Sequence, residues 1–286
     1  MGIEKSRPVL ITGCSSGIGE ATAERLVDGG WNVYATARKP EAIEELAGRG
    51  AKTLALDVTD ERSMRDAVEE VERDGPIGAL VNNAGYSQSG AIETIPMDSV
   101  RRQFETNVFG LMRLCQLVLP GMRRAGSGRI VNLSSMGGRL VFPGGGVYHA
   151  TKHAVEALSD ALRFEVAGFG IDVVIIEPGL VRTRFGEAAV GSMDTVAKDG
   201  PYGRFNDTVA EVTANAYEGP LARLGAGPEA VAAKIERAFA TRRPATRYKV
   251  TASARVIMGM RRGMTDRMWD RFVASQYPRP RPEDDG

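Results

Sequence analysis

The chain reads as one α/β domain, a parallel sheet wound on both faces by helices, and three observations predict it. Short runs that are apolar at every residue recur through the first 180 positions, helical patterns separate them, and a glycine-rich turn joins the first run to the first helix. Continuously apolar strands suit a sheet covered on both faces, which is the setting of parallel strands. A length of 286 residues with 43% hydrophobic content supports a single large core.

The elements follow in alternation. Residues 9–12 form the first strand and 20–28 the first helix; 32–37 and 41–48 are the second pair, 52–56 and 60–73 the third. Residues 79–81 precede a long helical stretch over 97–124. A strand at 129–133, a helix from about 148 to 167 and a strand at 172–176 continue the pattern. After Pro178-Gly179 the periodicity is lost until about Pro228, in an interval rich in Gly, Pro and small polar residues. So long a loop at a strand end is either a lid over a ligand or a poorly ordered insertion. Residues 229–240 then read as a helix, 247–251 as a last strand, and 254–275 as one or two amphipathic helices.

Charge and cysteine content narrow the function classes. The net charge of +1 gives no reason to expect nucleic acid, although the last 46 residues carry +6 against −5 for the remainder. In that segment Met, Trp269 and Phe272 mix with arginines, a pattern that can close a pocket, pack on another subunit or lie in a membrane interface; packing is the favoured reading. Residues 279–286, Pro-rich and ending acidic, read as disordered. Cys14 and Cys115 supply neither a disulfide framework nor zinc spacing, so a reducing, cytoplasmic setting is expected. The first apolar run is too short for a signal segment, and no run reaches the roughly 18 residues of a membrane span.

Ligands of doubly wound sheets bind at the carboxyl ends of the strands, where Gly13, Asn82, Ser134-Ser135 and Pro178 all fall. Thr12-Gly13-Cys14-Ser15-Ser16-Gly17-Ile18-Gly19 links the first strand to the first helix with the spacing G-x-x-x-G-x-G. Glycines let the backbone turn tightly beside a pyrophosphate, and the free N–H groups of a helix start attract its charge. No Gly-Lys-Ser/Thr follows, so this is not a nucleoside-triphosphate loop. The second strand ends Ala37-Arg38-Lys39. A carboxylate at that end holds the ribose hydroxyls of NAD, whereas an arginine accommodates the additional phosphate of NADP. Arg38 and Lys39 therefore point to NADP(H), a solvated helix-start pair being the plain alternative. Asp57, ending the third strand, is placed to receive an adenine amino group, or serves simply as a helix-start residue.

With these motifs stand Asp57-Val58, Asn82-Asn83-Ala84-Gly85, Asn107, Ser135, Tyr148-x-x-x-Lys152 and Pro178-Gly179 with Thr183. In this order and spacing the sequence resembles the short-chain dehydrogenases/reductases, in register from about residue 8 to 183. Within them it is similar to the branch of the 17β-hydroxysteroid dehydrogenases, which also holds reductases of lipid-like ketones. One departure is that His149 and Thr151 fill the spacer where the family often has Ala-Ser before the lysine.

The resemblance implies a Rossmann fold, residues 1–240 carrying cofactor binding and catalysis with a lid at about 184–227, and 241–286 extending the same domain as strand, helices and tail. It implies that Gly13, Ser15, Ser16, Gly17, Ile18 and Gly19 cradle the cofactor. Arg38, Lys39, Asp57, Val58, Asn83, Ala84, Gly85, Pro178, Gly179, Val181 and Thr183 would also bind it, together with Tyr148 and with Lys152, which would hold the nicotinamide ribose hydroxyls. Asn107, Ser135, Tyr148 and Lys152 would be catalytic, Asn107 through a water that connects Lys152 to solvent.

Tyr148 and Lys152, four residues apart, share one helix face. A phenol titrates near pH 10, so a proton shuttle near neutrality needs its pKa lowered by about 3, or roughly 4 kcal/mol, which an adjacent ammonium can supply. Ser135 would polarise the substrate carbonyl, with Ser134 as the alternative. Neither His149 nor His153 enters this scheme, and no metal is expected.

The function expected is hydride transfer between NADP(H) and a small-molecule ketone or secondary alcohol. Val141, Phe142 and Val147 suggest an apolar wall and hence a lipid-, steroid- or polyketide-like substrate. The resemblance makes a homodimer or homotetramer expected. The competing readings are a silent NADP(H) sensor, an NAD-preferring dehydrogenase, and an epimerase or dehydratase, which the glycine spacing disfavours.

Overall fold

The computed structural model describes residues 2–196, 200–218 and 220–280. Seven parallel strands form one sheet in the order β3-β2-β1-β4-β5-β6-β7. These are β1 (Val9–Ile11), β2 (Val33–Ala37), β3 (Lys52–Ala55), β4 (Ala79–Asn82), β5 (Gly128–Leu133), β6 (Ile171–Glu177) and β7 (Arg247–Lys249). The chain reverses its winding direction between β1 and β4, and there the strand ends part into a crevice. The doubly wound Rossmann architecture expected from the sequence is the one observed.

Alternate residues of the strands feed two cores. Val9 and Ile11 of β1 pack with α1 (Gly17–Asp28) and α9 (Pro228–Ala240), through Leu26, Val231, Ile235 and Phe239. Leu10 turns to the other face, toward α3 (Glu61–Glu72), α5 (Gly110–Ala125) and α6 (Gly146–Val166), where Val68, Leu114, Val118 and Val155 meet it. The fully buried Arg129 of β5 stitches the far end of the sheet, its Nη1 donating to the carbonyls of Phe239 and Thr241 at 3.0 Å each and so capping the last turn of α9. The second helical stretch is a 3-10 turn (Pro40–Ile43) followed by α2 (Glu44–Gly48).

Three segments differ from the sequence reading. The stretch 97–124 is not one regular helix: α4 (Met97–Phe104) passes through a π turn (Glu105–Phe109) into α5. Gly110, just after that turn, lets the helix press on the chain at Val58, whose carbonyl a Cβ would strike. The interval 184–227 is largely helical, with α7 (Phe185–Gly191), α8 (Gly203–Glu218) and 3-10 turns at Ser192–Thr195 and Pro220–Leu224. Its buried stripe is Gly203, Asn206 and Val209, and the Asn206 Oδ1 accepts from the Ala91 amide at 2.9 Å. A helix whose inner face carries a glycine and an asparagine gives little apolar periodicity.

The last strand is also shorter, because Thr251 leaves it to cap α10 (Ala252–Gly263), accepting from the Ala254 amide. Thr265 caps α11 (Asp266–Ala274) in the same way. Of the tail read as disordered, residues 281–286 lie outside the described residues. Among the described residues no helix is long and apolar enough to cross a membrane.

Candidate active site

A cleft of about 890 Å³ opens at the carboxyl ends of the strands. Its floor is the turn between β1 and α1, where Gly13 (φ 72°) and Gly17 (φ 65°) take left-handed conformations that side chains resist. A Cβ on Gly13 would lie 3.0 Å from the Ala84 Cα, and one on Gly17 3.1 Å from the Thr183 Cγ2. Gly19 does not line the cleft; it faces Gly13 and Asn83, letting α1 press against the turn. Ser16 precedes α1 in extended conformation without capping it through its side chain, so first-turn N–H groups stay available to an anion. This cradle fits a pyrophosphate.

The turn is tied to β4. Thr12 Oγ1 accepts from the Asn83 and Ala84 amides at 3.0 Å each, while the Asn83 side-chain amide donates to the carbonyls of Thr12 (2.9 Å) and Gly13 (3.0 Å). Asn83 therefore shapes the cradle with the donors of its side chain already used. Cys14 is fully buried, its thiol donating to the Ile11 carbonyl, and burial pushes the thiol up to about 12, which fits a packing residue.

At one end of the cleft Arg38, exposed, stands beside Ala37, and Asp57 and Val58 close the corner. Lys39 is not among the lining residues: it sits outside, at the start of the 3-10 turn Pro40–Ile43. Asp57 lines the cleft, its Oδ1 accepting from the Thr59 amide (2.9 Å) and hydroxyl (2.8 Å), while the start of α3 is capped by Asp60.

Ser15, Ser16, Ile18 and Gly85 line the cleft between, and Ser135, Tyr148 and Lys152 meet at its other end with Pro178, Gly179, Val181 and Thr183. Ser135 begins a 3-10 turn (Met136–Gly138), and its Oγ accepts from the Gly137 amide at 3.1 Å. Ser134 also lines the cleft but is more buried, its hydroxyl donating to the Ser135 carbonyl at 3.5 Å. Tyr148 and Lys152 project from the first turns of α6, with the Lys152 Nζ 5.8 Å from the Tyr148 ring centre. Lys152 is buried and donates to the Leu133 carbonyl at 2.7 Å; burial lowers its ammonium to about 8, against the raising effect of Glu156.

Asn107 lies in the π turn behind this group and not on the cleft wall. Its Nδ2 donates to the Tyr86 carbonyl (2.9 Å) and the Thr151 hydroxyl (3.1 Å), and its Oδ1 accepts from the Tyr86 amide (3.1 Å). Thr151 in turn donates to the Tyr148 carbonyl at 2.7 Å, which gives the unusual spacer residue a place in the same lattice. Both Asn107 donors are thereby engaged, leaving only acceptor capacity on its side chain for a water.

Several contributors carry no recognisable mark in the sequence. His149, set aside there, is buried, and its Nδ1 accepts from the Phe142 amide at 3.2 Å; burial, aided by His153, lowers it to about 4, so it is a neutral staple between α6 and the segment after Ser135. Gly137 and Gly145 make room for its ring. Thr251 Oγ1 accepts from the Gly179 amide (3.1 Å) and Ser253 Oγ from the Leu180 amide (3.0 Å), so the start of α10 fixes the end of β6.

The expected apolar wall is built differently. Val141 is exposed and Val147 packs away from the cleft on Ile95 and Val196; Met136, Leu180, Phe185 and Ala188 line it instead. Phe142 contributes indirectly, packing on His149 and Trp269. The apolar side of α10 and α11, through Ala254, Met258 and Trp269, packs on Leu140, and the Trp269 Nε1 donates to the Val141 carbonyl at 3.1 Å. Packing is thus what this basic segment does with its apolar stripe.

Comparison with known proteins agrees with this geometry. A family model described as short chain dehydrogenase matches residues 7–192. The uncharacterized oxidoreductase YbbO of Escherichia coli K12 is 36% identical over 269 residues, covering 93% of this chain and 94% of the relative. The NADPH-dependent 3-dehydrocapnine reductase of Ornithobacterium rhinotracheale is 34% identical over 277 residues, 93% and 95% of the two chains. The crystal structure of a short-chain dehydrogenase from Streptomyces avermitilis superposes with a TM-score of 0.77 at 35% identity, over 95% of this chain and 96% of that one. With a matching fold, a matching family model and full-length relatives, the chain belongs to the short-chain dehydrogenase/reductase family of oxidoreductases.

Proposed function

We propose that the protein is an NADP(H)-dependent oxidoreductase that interconverts a hydrophobic ketone and its secondary alcohol. The observation that carries this is the meeting of Ser135, Tyr148 and Lys152 at one end of a cleft whose other end presents Arg38 and no carboxylate at Ala37. Arg38 favours the phosphate of NADP(H), a charge-assisted contact worth roughly 1.5–3 kcal/mol, or about tenfold to a hundredfold in preference. The NADPH-dependent reductase among the relatives supports the same choice and the reductive direction.

A nicotinamide held beside Tyr148 and Lys152 would supply the hydride for the carbonyl carbon, or the acceptor for the alcohol's hydride. Ser135, whose oxygen accepts from the Gly137 amide, keeps its own proton to donate to the carbonyl oxygen. Tyr148 delivers a proton to the same oxygen in reduction and removes it in oxidation. The Lys152 ammonium favours the phenolate and, with donors left beyond its bond to the Leu133 carbonyl, would hold the ribose hydroxyls. Asn107 holds Tyr86 and Thr151 and so fixes the wall behind Lys152, where its free acceptor capacity suits a relay water. Met136, Leu180, Phe185 and Ala188 favour an apolar substrate body, with α7 as part of the lid. The exposed Phe109, Phe164 and Phe169 favour assembly as a homodimer or homotetramer.

The test is NADPH and NADH consumption against a panel of long-chain and cyclic ketones, with Tyr148→Phe alongside. Faster turnover with NADPH and its loss in Tyr148→Phe by at least about a hundredfold are expected. Retained turnover in that variant overturns the mechanism, and a preference for NADH overturns the cofactor.

A further inference from the structure

Behind Ser135, Tyr148 and Lys152 lies a second group of charges to which the reaction so far gives no task. Glu156 stands one turn after Lys152 on α6 and is buried; Glu177, the last residue of β6, is wholly buried. The Oε1 of Glu156 and both carboxyl oxygens of Glu177 have no hydrogen-bond partner. Two arginines face the pair. Arg247 of β7 lies 3.0 Å from the Glu156 Oε2 and 3.4 Å from the Glu177 Oε1. Arg139, at the end of the turn that begins with Ser135, stands 3.9 Å from Glu156 and 4.0 Å from Glu177. Asp160, a turn further along α6, holds Arg247 from the outside at 2.6 Å, and Lys249 of β7 acts on Glu177.

Two adjacent buried carboxyls do not both ionise readily, and their surroundings decide which one keeps the proton. Glu156 accepts a hydrogen bond from the Arg247 Nε at 3.0 Å and stands one turn beyond Lys152 on the same helix. Glu177 receives no such bond, and burial together with Glu156 pushes its carboxyl above the ordinary range. Of the two, Glu156 is the one that Arg247 both pairs with and hydrogen-bonds. Lys152 in turn faces Tyr148 and the Leu133 carbonyl, while His153 turns away to the His149 carbonyl. No other carboxylate than Glu156 acts on Lys152 among the described residues. Gly138 lets the turn after Ser135 rest directly on α6: a Cβ there would lie 3.0 Å from both the Glu156 Cγ and the backbone carbonyl oxygen of Lys152.

We propose that Glu156 is a positioning residue for proton transfer: one turn beyond Lys152 on the buried side of α6 and held by Arg247, its carboxylate keeps Lys152 an ammonium. The proposal rests on the role given to Lys152 above and extends it one turn along α6. It also assigns a use to a buried carboxylate that would otherwise only cost stability.

The test reads the charge on Lys152 directly. In the full-length protein without cofactor, competitive acetylation of Lys152 by acetic anhydride is followed by peptide mass spectrometry from about pH 6 to about pH 10, because only the free amine reacts. Glu156→Gln is expected to move the midpoint of Lys152 labelling down by about one pH unit or more, and Glu177→Gln to leave it in place. With a turned-over ketone, the pH profile of kcat in Glu156→Gln shifts likewise while the KM for the ketone changes little. An unmoved midpoint in folded Glu156→Gln overturns the proposal, as does an equal displacement in both variants. If Glu156→Gln does not fold, Glu156→Asp decides, since it keeps the charge but withdraws it by one methylene: a lowered midpoint supports the assignment and an unchanged one overturns it. Labelling needs no substrate, so a midpoint that falls in a protein inactive on every ketone leaves this inference standing and removes only the proposed reaction.

Discussion

His149 is a neutral imidazole whose protonation the fold opposes, because its Nδ1 is spent accepting from the Phe142 amide and its ring is buried. Its pKa in the fold, about 4, lies below the unfolded value near 6.5, so the unfolded chain binds the proton more readily between these limits. The stabilisation is fully present above about pH 6.5 and is lost as pH falls toward about 4, by up to roughly 3 kcal/mol. His149→Asn, which can offer an acceptor near the Nδ1 position, is expected to lower the melting temperature at pH 7 but to flatten its fall between pH 6.5 and 4.5; a slope equal to that of the parent in thermal scans would refute the account. Residues of this kind explain what could be read early at the site. Ser135, Tyr148 and Lys152 announce themselves by spacing, since the chemistry needs those groups at those intervals. His149 acts through burial and a bond to the segment before its own helix, Glu156 through burial and an arginine 91 residues away, and neither is visible before the chain is folded.

At the scale of elements, legibility followed the uniformity of burial. The central strands are apolar at every position because helices cover both faces, and the sequence places them to within a residue or two. The helix α8 escaped notice because its inner face holds Gly203 and Asn206, and Asn206 meets its obligation through the Ala91 amide. Thr251, read as a strand residue, instead caps α10 and, with Ser253, satisfies two amides at the end of β6. Thr251→Val leaves the Gly179 and Ala254 amides without their acceptor and Ser253→Ala the Leu180 amide, a loss of about 1–3 kcal/mol for each donor. Each is expected to lower the melting temperature and to weaken NADPH binding measured by fluorescence titration, more together than singly, whereas Ser253→Thr keeps the hydroxyl and most of the affinity. Unchanged binding in the double variant would show that the Pro178-Gly179-Leu180 turn holds its shape unaided.

Across the whole molecule, the binding cleft is assembled from chain segments that lie far apart in sequence: the first turn at Gly13, the middle helix α6, and the start of α10 near the end. A chain ending at residue 240 lacks β7, α10 and α11 and is expected to bind no NADPH and to expose the apolar residues that pack on Leu140; retained affinity in such a truncation would contradict this. The dependence of Gly179 and Leu180 on Thr251 and Ser253 also orders events during synthesis. The glycine turn is synthesised about 230 residues ahead of Thr251 and Ser253, and the strand end opposite it stays unfinished until those two emerge. A chain interrupted before Thr251 is therefore expected to yield an idle protein instead of a slow one, with competence arriving in one step as the start of α10 emerges.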